Sequence, residues 1–175
     1  MPIQIKTKRL VLRPLGSADL QTVHAYASDA EATAYMLRLP SRTPQQTAQF
    51  LACAEQEWQK QSPRFYEFAI TLAGRQIGAV SLYLEDAEPA GELGWILDQR
   101  YWRQGFATEA AQAILEFARG LGLSRLTAHC DARNIASRRV MEKIGMTLED
   151  DSALRIYPET GERARELLFG LALLP

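Results

Sequence analysis

The sequence predicts one α/β domain of the α+β type, built on a mixed and mostly antiparallel β-sheet. The 175 residues suffice for one hydrophobic core, and 47% hydrophobic and 23% charged residues are typical of a globular chain. Strand-like segments alternate with segments of helical periodicity, in the order strand, helices, three or four strands, helix, strand, helix, two strands. Because no repeat or linker interrupts this order, we expect residues 1–175 to form a single domain.

The first third of the chain is predicted to hold one strand followed by helices. Residues 3–14 alternate imperfectly and end at a proline, which is typical of a strand. Residues 17–27 begin with a capping serine and continue with apolar residues at helical spacing. Residues 43–58 open with Thr-Pro-Gln-Gln, a capping-box pattern, before an apolar stripe. Residues 28–42 are predicted to hold a short further helix.

The remaining two thirds are predicted to form the larger part of the sheet. Residues 64–72 and 76–84 are separated by Ala-Gly-Arg, which favours a hairpin. The further predicted elements are strands at 92–98 and 125–130, helices at 107–121 and 134–144, and two strands around a turn at 158–161 within residues 146–174. The helix between the strands at 92–98 and 125–130 predicts a parallel crossover.

The charge and cysteine content exclude several classes of function. Twenty basic and twenty-one acidic residues leave a net charge of −1, so we expect no nucleic acid as the main partner. Two cysteines, Cys53 and Cys130, are too few for a disulfide framework and favour a reducing cytoplasm. With two histidines and no CxxC or HExxH motif, no metal site is expected. No signal peptide and no apolar run of eighteen residues is found, so no membrane partner is expected.

The most informative window is ELGWILDQRYWRQGFATE, residues 92–109. A predicted strand leads through a loop containing Arg100, Arg103 and Gly105 directly into a helix, whose first N–H groups lack intrahelical partners. Such a helix N-terminus favours a pyrophosphate group, although a glycine before a helix is also ordinary turn chemistry. The sequence lacks GxxxxGK[ST], GxGxxG after a strand and GxSxG, which excludes a nucleotide P-loop, a dinucleotide fingerprint and a serine-hydrolase elbow.

This window and the later LTAHCDARNIASRRVMEKIGM together resemble the GNAT acyl-CoA N-acyltransferases, most closely the branch that includes the RimJ/RimL protein N-terminal acetyltransferases. TKRLVLRPL, QIGAVSL and ELLFGLAL resemble the same branch, so the resemblance spans nearly the whole chain and is weakest in residues 28–62. It implies the GNAT fold, with helices on both faces of the sheet. It also implies transfer of an acetyl group from acetyl-CoA to a primary amine, a protein N-terminus or a small molecule, by direct attack in a ternary complex.

The resemblance also implies which residues bind the acyl donor. Gly105 and Ala107 match the pyrophosphate loop of the family, but Trp102 stands where the family usually has Gln or Arg, and Arg103 is a candidate replacement for that charge. The main chain of the preceding strand is expected to pair with the pantetheine arm. The implied acetyl-CoA contacts are Ile96, Leu97, Asp98, Arg103, Gln104, Gly105, Phe106, Ala107, Thr108 and Asn134.

Three residues are implied to be catalytic. Glu92 matches the general-base glutamate of several relatives, although it is also a candidate solvent-facing strand residue. Asn134 lies near the thioester in the family, and Ser137 is a candidate proton donor to the departing thiolate; both residue types also cap helices. Met141 occupies the position of the tyrosine that serves as the acid in many relatives, and it cannot donate a proton, so Ser137 or an ordered water serves instead, or the thiolate leaves unassisted.

Several alternatives stay open at this stage. The departures at Trp102 and Met141 allow a catalytically silent acyl-CoA-binding module on the same fold. His129 and Cys130 resemble a nucleophile–base pair, but adjacent strand residues point to opposite faces, which favours a buried structural cysteine. Tyr35, Phe65 and Tyr66 are candidates for the acceptor pocket. The three tryptophans are expected in the core, and the final strands are candidates for a homodimer interface.

Overall fold

The computed structural model describes residues 3–173, which form a nine-stranded mixed sheet with four α-helices. The strands are β1 Ile5–Lys6, β2 Leu10–Pro14, β3 Phe65–Leu72, β4 Arg75–Leu84, β5 Ala90–Leu97, β6 Arg125–Asp131, β7 Thr147–Asp150, β8 Leu154–Ile156 and β9 Arg163–Ala172. The helices are α1 Leu20–Ala27, α2 Pro44–Trp58, α3 Phe106–Gly120 and α4 Ile135–Lys143. Within residues 3–173, no helix combines the length and the apolar character needed to cross a membrane.

The sheet has the mixed, mostly antiparallel character that the sequence predicts. Its strand order is β1-β2-β3-β4-β5-β6-β9-β7, and β8 also pairs with β9. The only parallel pair of the described residues is β5 with β6, which α3 connects as a crossover. The predicted fold class is therefore confirmed.

Three segment predictions are wrong. Residues 3–14 form two strands instead of one, because the Thr7 N–H donates to the Leu10 carbonyl at 2.9 Å and reverses the chain. Residues 28–42 form successive turns without an α-helix, closed by a 2.7 Å hydrogen bond from the Ser41 N–H to the Ala27 carbonyl. Three strands follow Met146, because the ten-residue β9 is long enough to pair with β7 and β8 in succession. The predicted end of the last strand at Leu174 lies outside the described residues.

The helices cover both faces of the sheet. On one face, α3 packs through Phe106, Ala110, Ala111 and Ile114 against buried side chains of the central strands, and the alanines allow a close approach. On the other face, α1 and α2 bury Val23, Tyr26 and Leu51 in a second cluster that includes Ala69 and Ala79. Because side chains alternate along each strand, neighbouring residues of β3 serve different clusters.

Strands β5 and β6 pair over only three residues and then separate. The parallel register joins Ala90–Glu92 to Arg125–Thr127. Beyond that point, β5 continues along β4 to Leu97, whereas β6 continues along β9 to Asp131. The result is a gap in the middle of the sheet, and α3 begins shortly after β5 leaves it.

Candidate active site

A central cleft of about 830 Å³ opens along this gap, on the face of the sheet that carries α1 and α2. Its floor consists of small residues, Ala79, Ser81 and Gly94, where β4 pairs with β5. A Cβ on Gly94 would lie only 2.8 Å from the Ser81 Oγ, so the floor at this point accepts no larger side chain without rearrangement. We call this volume the central cleft.

The main chain of β5 supplies hydrogen-bonding groups to the gap. The Asp98 N–H donates to the Ile77 carbonyl, and the Glu85 N–H donates to the Ala90 carbonyl, both at 3.0 Å. Antiparallel strands alternate between bonded and non-bonded pairs, so even-numbered positions of β5 direct their main chain toward β4. The N–H and carbonyl groups of odd-numbered positions therefore face the gap. Of the three predicted residues Ile96, Leu97 and Asp98, only Leu97 is in such a position; the main chains of Ile96 and Asp98 face β4.

The loop after β5 ends in a row of free backbone N–H groups. Arg103 and Gly105 have positive φ values of 60° and 78°, which turns the chain sharply before α3 begins. No acceptor within residues 3–173 takes the N–H groups of residues 103 to 108. Six consecutive donors leading into a helix N-terminus are suited to bind an anion, because the macrodipole adds to their partial charges.

The side chains of this loop differ in whether they are already paired within the protein or exposed to a ligand. Arg100 is paired with Asp98, whereas Arg103 is exposed and contacts no carboxylate among the described residues. Trp102 is 36% exposed, so its predicted place in the core is wrong; Trp58 and Trp95 are partly buried. The Trp102 indole N–H donates to the Leu97 carbonyl at 2.9 Å and holds the loop against the end of β5.

The N-terminal segment braces the same loop, which sequence analysis missed. The Arg9 guanidinium donates to the Gln104 carbonyl at 2.9 Å, pairs with Glu109 at 2.6 Å and lies 4.4 Å from the centre of the Phe106 ring. Thr7 also donates to Glu109, at 2.6 Å. These contacts join residues about 100 positions apart, so local spacing in the sequence could not indicate them.

Asn134 and Ser137 line the central cleft at the start of α4. The Asn134 side chain accepts a hydrogen bond from the Ser137 N–H at 3.1 Å and thereby caps the helix. Both interpretations of this pair are compatible, because the cap uses the Ser137 N–H, whereas the Ser137 hydroxyl has no hydrogen bond among residues 3–173 and the residue lines the cleft. Met141 is buried in the core and is not part of the site.

Two carboxylates reach the cleft from the neighbouring strands. Glu92 is exposed on β5, opposite Tyr83 of β4. Glu67 of β3 is only 5% exposed and accepts a 2.7 Å hydrogen bond from the Tyr83 hydroxyl. Burial raises the pKa of Glu67 to about 7, although the Tyr83 hydrogen bond opposes the shift. The sequence predicts Glu92 at the site but does not indicate Glu67.

The opposite wall of the cleft contains a buried ion pair. Arg155 is 7% exposed and donates to Glu166 at 2.9 Å and to the Tyr35 carbonyl at 3.0 Å, which anchors residues 28–42 beside the cleft. His129 is exposed, with Nδ1 3.6 Å from Glu166. Burial raises the pKa of the neighbouring Cys130 thiol to about 11, so it is a poor nucleophile, in agreement with the predicted structural role.

The aromatic residues suggested for an acceptor pocket lie in three different environments. Tyr35 lines the cleft. Tyr66 is buried in the core under α3, with its ring 5.1 Å from that of Phe117. Phe65 stacks on Tyr83 at 5.1 Å and supports the cleft from outside.

Comparison with known proteins agrees with this geometry. A family model described as an acetyltransferase (GNAT) domain matches residues 9–147. The uncharacterized N-acetyltransferase YnaD of Bacillus subtilis is 34% identical over 152 residues, which are 84% of each chain. A GNAT-family acetyltransferase structure from Bacillus anthracis superimposes with a TM-score of 0.84 at 29% identity, covering 97% of this chain and 98% of the other.

A further structure resembles this fold at low sequence identity. RimL, a ribosomal L7/L12 alpha-N-protein acetyltransferase solved with coenzyme A, superimposes with a TM-score of 0.86 at 20% identity over 98% of both chains. The family match covers most of the chain, so the protein belongs to the GNAT acetyltransferases. It is an acetyl-CoA-dependent acetyltransferase, as the resemblance in sequence implied.

Proposed function

We propose that this enzyme transfers an acetyl group from acetyl-CoA to a primary amine bound in the central cleft, by direct attack of the amine on the thioester. The observation that carries the proposal is the row of six N–H groups at residues 103 to 108, which have no acceptor in the described part of the chain and follow the gap between β5 and β6. It provides a pyrophosphate site next to an opening that is suited to an extended arm. The cleft then supplies space for the second substrate.

Arg103, Gln104, Gly105, Phe106, Ala107 and Thr108 are the proposed pyrophosphate ligands, through their backbone N–H groups. The Thr108 hydroxyl is a further donor, and Arg103 contributes positive charge. The pantetheine arm pairs with the main chain of the other odd-numbered residues of β5 that face the gap. Leu97 keeps its N–H for the thioester carbonyl at the end of that arm, since its own carbonyl already accepts from the Trp102 indole. Ile96 contributes its side chain to the cleft, and Asp98 holds the loop through Arg100.

The chemical step relies on positioning and on the transfer of protons. Asn134 and Ser137 stand where β6 gives way to α4, and we assign Ser137 as the group that protonates the thiolate. A thiol has a pKa of about 8.5, so the thiolate is already a fair leaving group and this assistance is modest. The Leu97 N–H, which points into the gap, is the donor available for the developing oxyanion.

The acceptor is a cationic amine in this proposal. Glu67, Glu92 and Glu166 line the cleft; Glu166 is paired with Arg155, so Glu67 and Glu92 are the carboxylates that attract an ammonium group. The likeness to RimL, whose name specifies a ribosomal protein N-terminus, supports the RimJ/RimL-like branch, and a small-molecule amine fits the same charges.

A thiol-release assay tests this function. We expect the protein, given acetyl-CoA and a panel of a serine-led peptide, lysine, spermidine and kanamycin, to release coenzyme A thiol above the rate of thioester hydrolysis. Mass spectrometry should find one added acetyl group on the amine. Coenzyme A binding without acetylation of any amine in the panel would contradict the proposal and favour the catalytically silent module.

Two further expectations concern the cellular setting. Both cysteines are free, which is compatible with the reducing cytoplasm that the sequence favours. Leu148, Leu154 and Ile156 are exposed on β7 and β8, and they are the surface through which a homodimer would form.

A further inference from the structure

We propose that Glu67, rather than Glu92, takes the proton from the acceptor amine, and that Tyr83 positions the Glu67 carboxylate for this step. The inference rests on the proposed function and assigns the proton acceptor within it. It follows from the register of three strands and from the contacts of Glu67.

The register places Glu67 in line with the floor of the cleft. Glu67 of β3 lies opposite Ser81 of β4, and Ser81 lies opposite Gly94 of β5. Directly paired residues face the same side of a sheet, and two strand spacings, about 10 Å, separate the Cα atoms of Glu67 and Gly94. Ser81 and Gly94 are small, so an amine above Ser81 meets the carboxylate on one side and the gap beside β5 on the other.

The contacts of Glu67 leave one carboxylate oxygen for a substrate. Oε1 accepts the hydrogen bond from the Tyr83 hydroxyl. In the part of the chain that the structure covers, no other group donates to this carboxylate, and Glu67 lines the cleft. Phe65 stacks on the Tyr83 ring and fixes its orientation. Tyr83 therefore holds one oxygen, and the other is available to an ammonium group.

The surroundings of Glu67 explain why it is suited to accept a proton near neutral pH. Its burial raises its pKa to about 7, and a base whose pKa is near the working pH is the most effective. The titratable or charged groups on the elements around it are Arg13 with Asp19, Tyr26, Arg38, Cys53, Tyr83 and Glu92. Arg13 is already paired with Asp19, so it does not neutralise Glu67.

Glu92 is the less suitable carboxylate. It lies on the same face, opposite Tyr83, but its side chain is exposed. Water and salt screen an exposed charge, so Glu92 attracts the ammonium group only weakly and over a short range. It thereby increases the concentration of the acceptor in the cleft without taking its proton.

The reaction balances with Glu67 as the proton acceptor. The Glu67 carboxylate takes one proton from R–NH₃⁺, and the freed nitrogen lone pair attacks the thioester carbonyl carbon. The N–C bond forms, the C–S bond breaks, and its electron pair leaves on sulfur. The second nitrogen proton passes to the thiolate through Ser137 or water, and Glu67 releases its proton to solvent. The products are an amide, coenzyme A thiol and one proton.

The test is the pH dependence of kcat/KM for acetyl-CoA with whichever of the four panel amines turns over fastest. We expect Glu67→Gln to lower kcat/KM by about 10²-fold at pH 7.5. It should also abolish the acidic limb of the pH profile, which is the fall in kcat/KM as Glu67 becomes protonated. Glu92→Gln should keep that limb and lose only a few-fold, and Glu85→Gln, on the exposed loop before β5, is the matched control. Tyr83→Phe removes a hydrogen bond to the charged form, so it should move the limb to higher pH.

The results that would overturn the assignment to Glu67 differ from those that would overturn the proposed function. If amines are acetylated and Glu67→Gln keeps the wild-type profile, or if Glu92→Gln loses the acidic limb instead, the assignment to Glu67 is wrong. If no amine is acetylated, the proposed function itself fails. Coenzyme A affinity should be unchanged in Glu67→Gln, and its melting curve checks that it folds.

A second measurement needs no acceptor and no Glu67 variant. Isotope-edited infrared spectroscopy of the wild-type protein with ¹³C-labelled glutamate and bound coenzyme A should detect one carboxyl group that titrates near pH 7. Tyr83→Phe should shift that titration upward. Complete ionisation of all glutamates at pH 5.5 would overturn the proposal.

Discussion

Replacing Gly105 with valine is expected to lower the affinity for coenzyme A by more than about 100-fold. Gly105 has a φ of 78°, a conformation that costs other residues roughly 1–2 kcal/mol, and a Cβ there would lie 3.4 Å from the Arg9 guanidinium. Relief of this strain reorients the N–H groups that follow. Hydrogen bonds to a charged group are each worth about 1.5–3 kcal/mol, so the loss of two accounts for the expected change.

Isothermal titration calorimetry with coenzyme A measures this effect. Gly120→Val, at the other end of α3, is the matched control: a Cβ at Gly120 meets no atom within 4 Å, so its affinity should stay within about two-fold of wild type. Equal affinity of the Gly105→Val and wild-type proteins would place the pyrophosphate elsewhere.

Replacing Phe68 with alanine is expected to reduce the free energy of unfolding by about 3–5 kcal/mol. Phe68 is fully buried on β3, and its ring contacts those of Trp58 at 4.9 Å and Phe117 at 5.2 Å, both edge to face. The substitution leaves a cavity between the sheet, α2 and α3. Phe68 directly follows Glu67, so the same packing also fixes the strand that carries the proposed base.

Urea denaturation followed by circular dichroism measures the loss. Phe50→Ala is the matched control, because Phe50 is 40% exposed and its removal should cost less than about 1 kcal/mol. A Phe68→Ala protein as stable as Phe50→Ala would mean that this aromatic cluster does not hold β3 in place.

The loop between β5 and α3 could be predicted from sequence, because the residues that determine it are close together in the chain. Gly105 stands directly before a helix with an apolar stripe, and the strand before it ends within a few residues. Turn chemistry and helical periodicity act over such short distances. The same holds for Thr43, which caps α2 as predicted.

Residues fixed by distant contacts escaped prediction. Glu67 lies in a segment, RFYEFAITL, where an alternating pattern makes a glutamate look like a solvent-facing residue. Its burial arises because α1, α2 and residues 28–42 cover that face of the sheet, which spacing along β3 does not indicate. The hydrogen bond from the Arg9 guanidinium to the Gln104 carbonyl also joins distant parts of the chain, so the sequence does not indicate it either.

The errors in residues 28–42 and at the C-terminus have a related cause. Residues 28–42 contain enough apolar residues for a helix, but Asp29 accepts a 2.7 Å hydrogen bond from the Ala32 N–H and favours turns instead. Strands β7 and β8 are four and three residues long, too short for a period to be recognised. Both strands form because each pairs with β9.

The central claim is that the backbone N–H groups at the start of α3 bind the pyrophosphate of coenzyme A. Titration of the ¹⁵N-labelled protein with coenzyme A, followed by two-dimensional NMR, tests it most directly. We expect the largest amide shifts at Arg103 to Thr108, with the 3′,5′-ADP fragment, which lacks the pyrophosphate, shifting them far less. Saturation by coenzyme A while these six amides keep their positions would contradict the account.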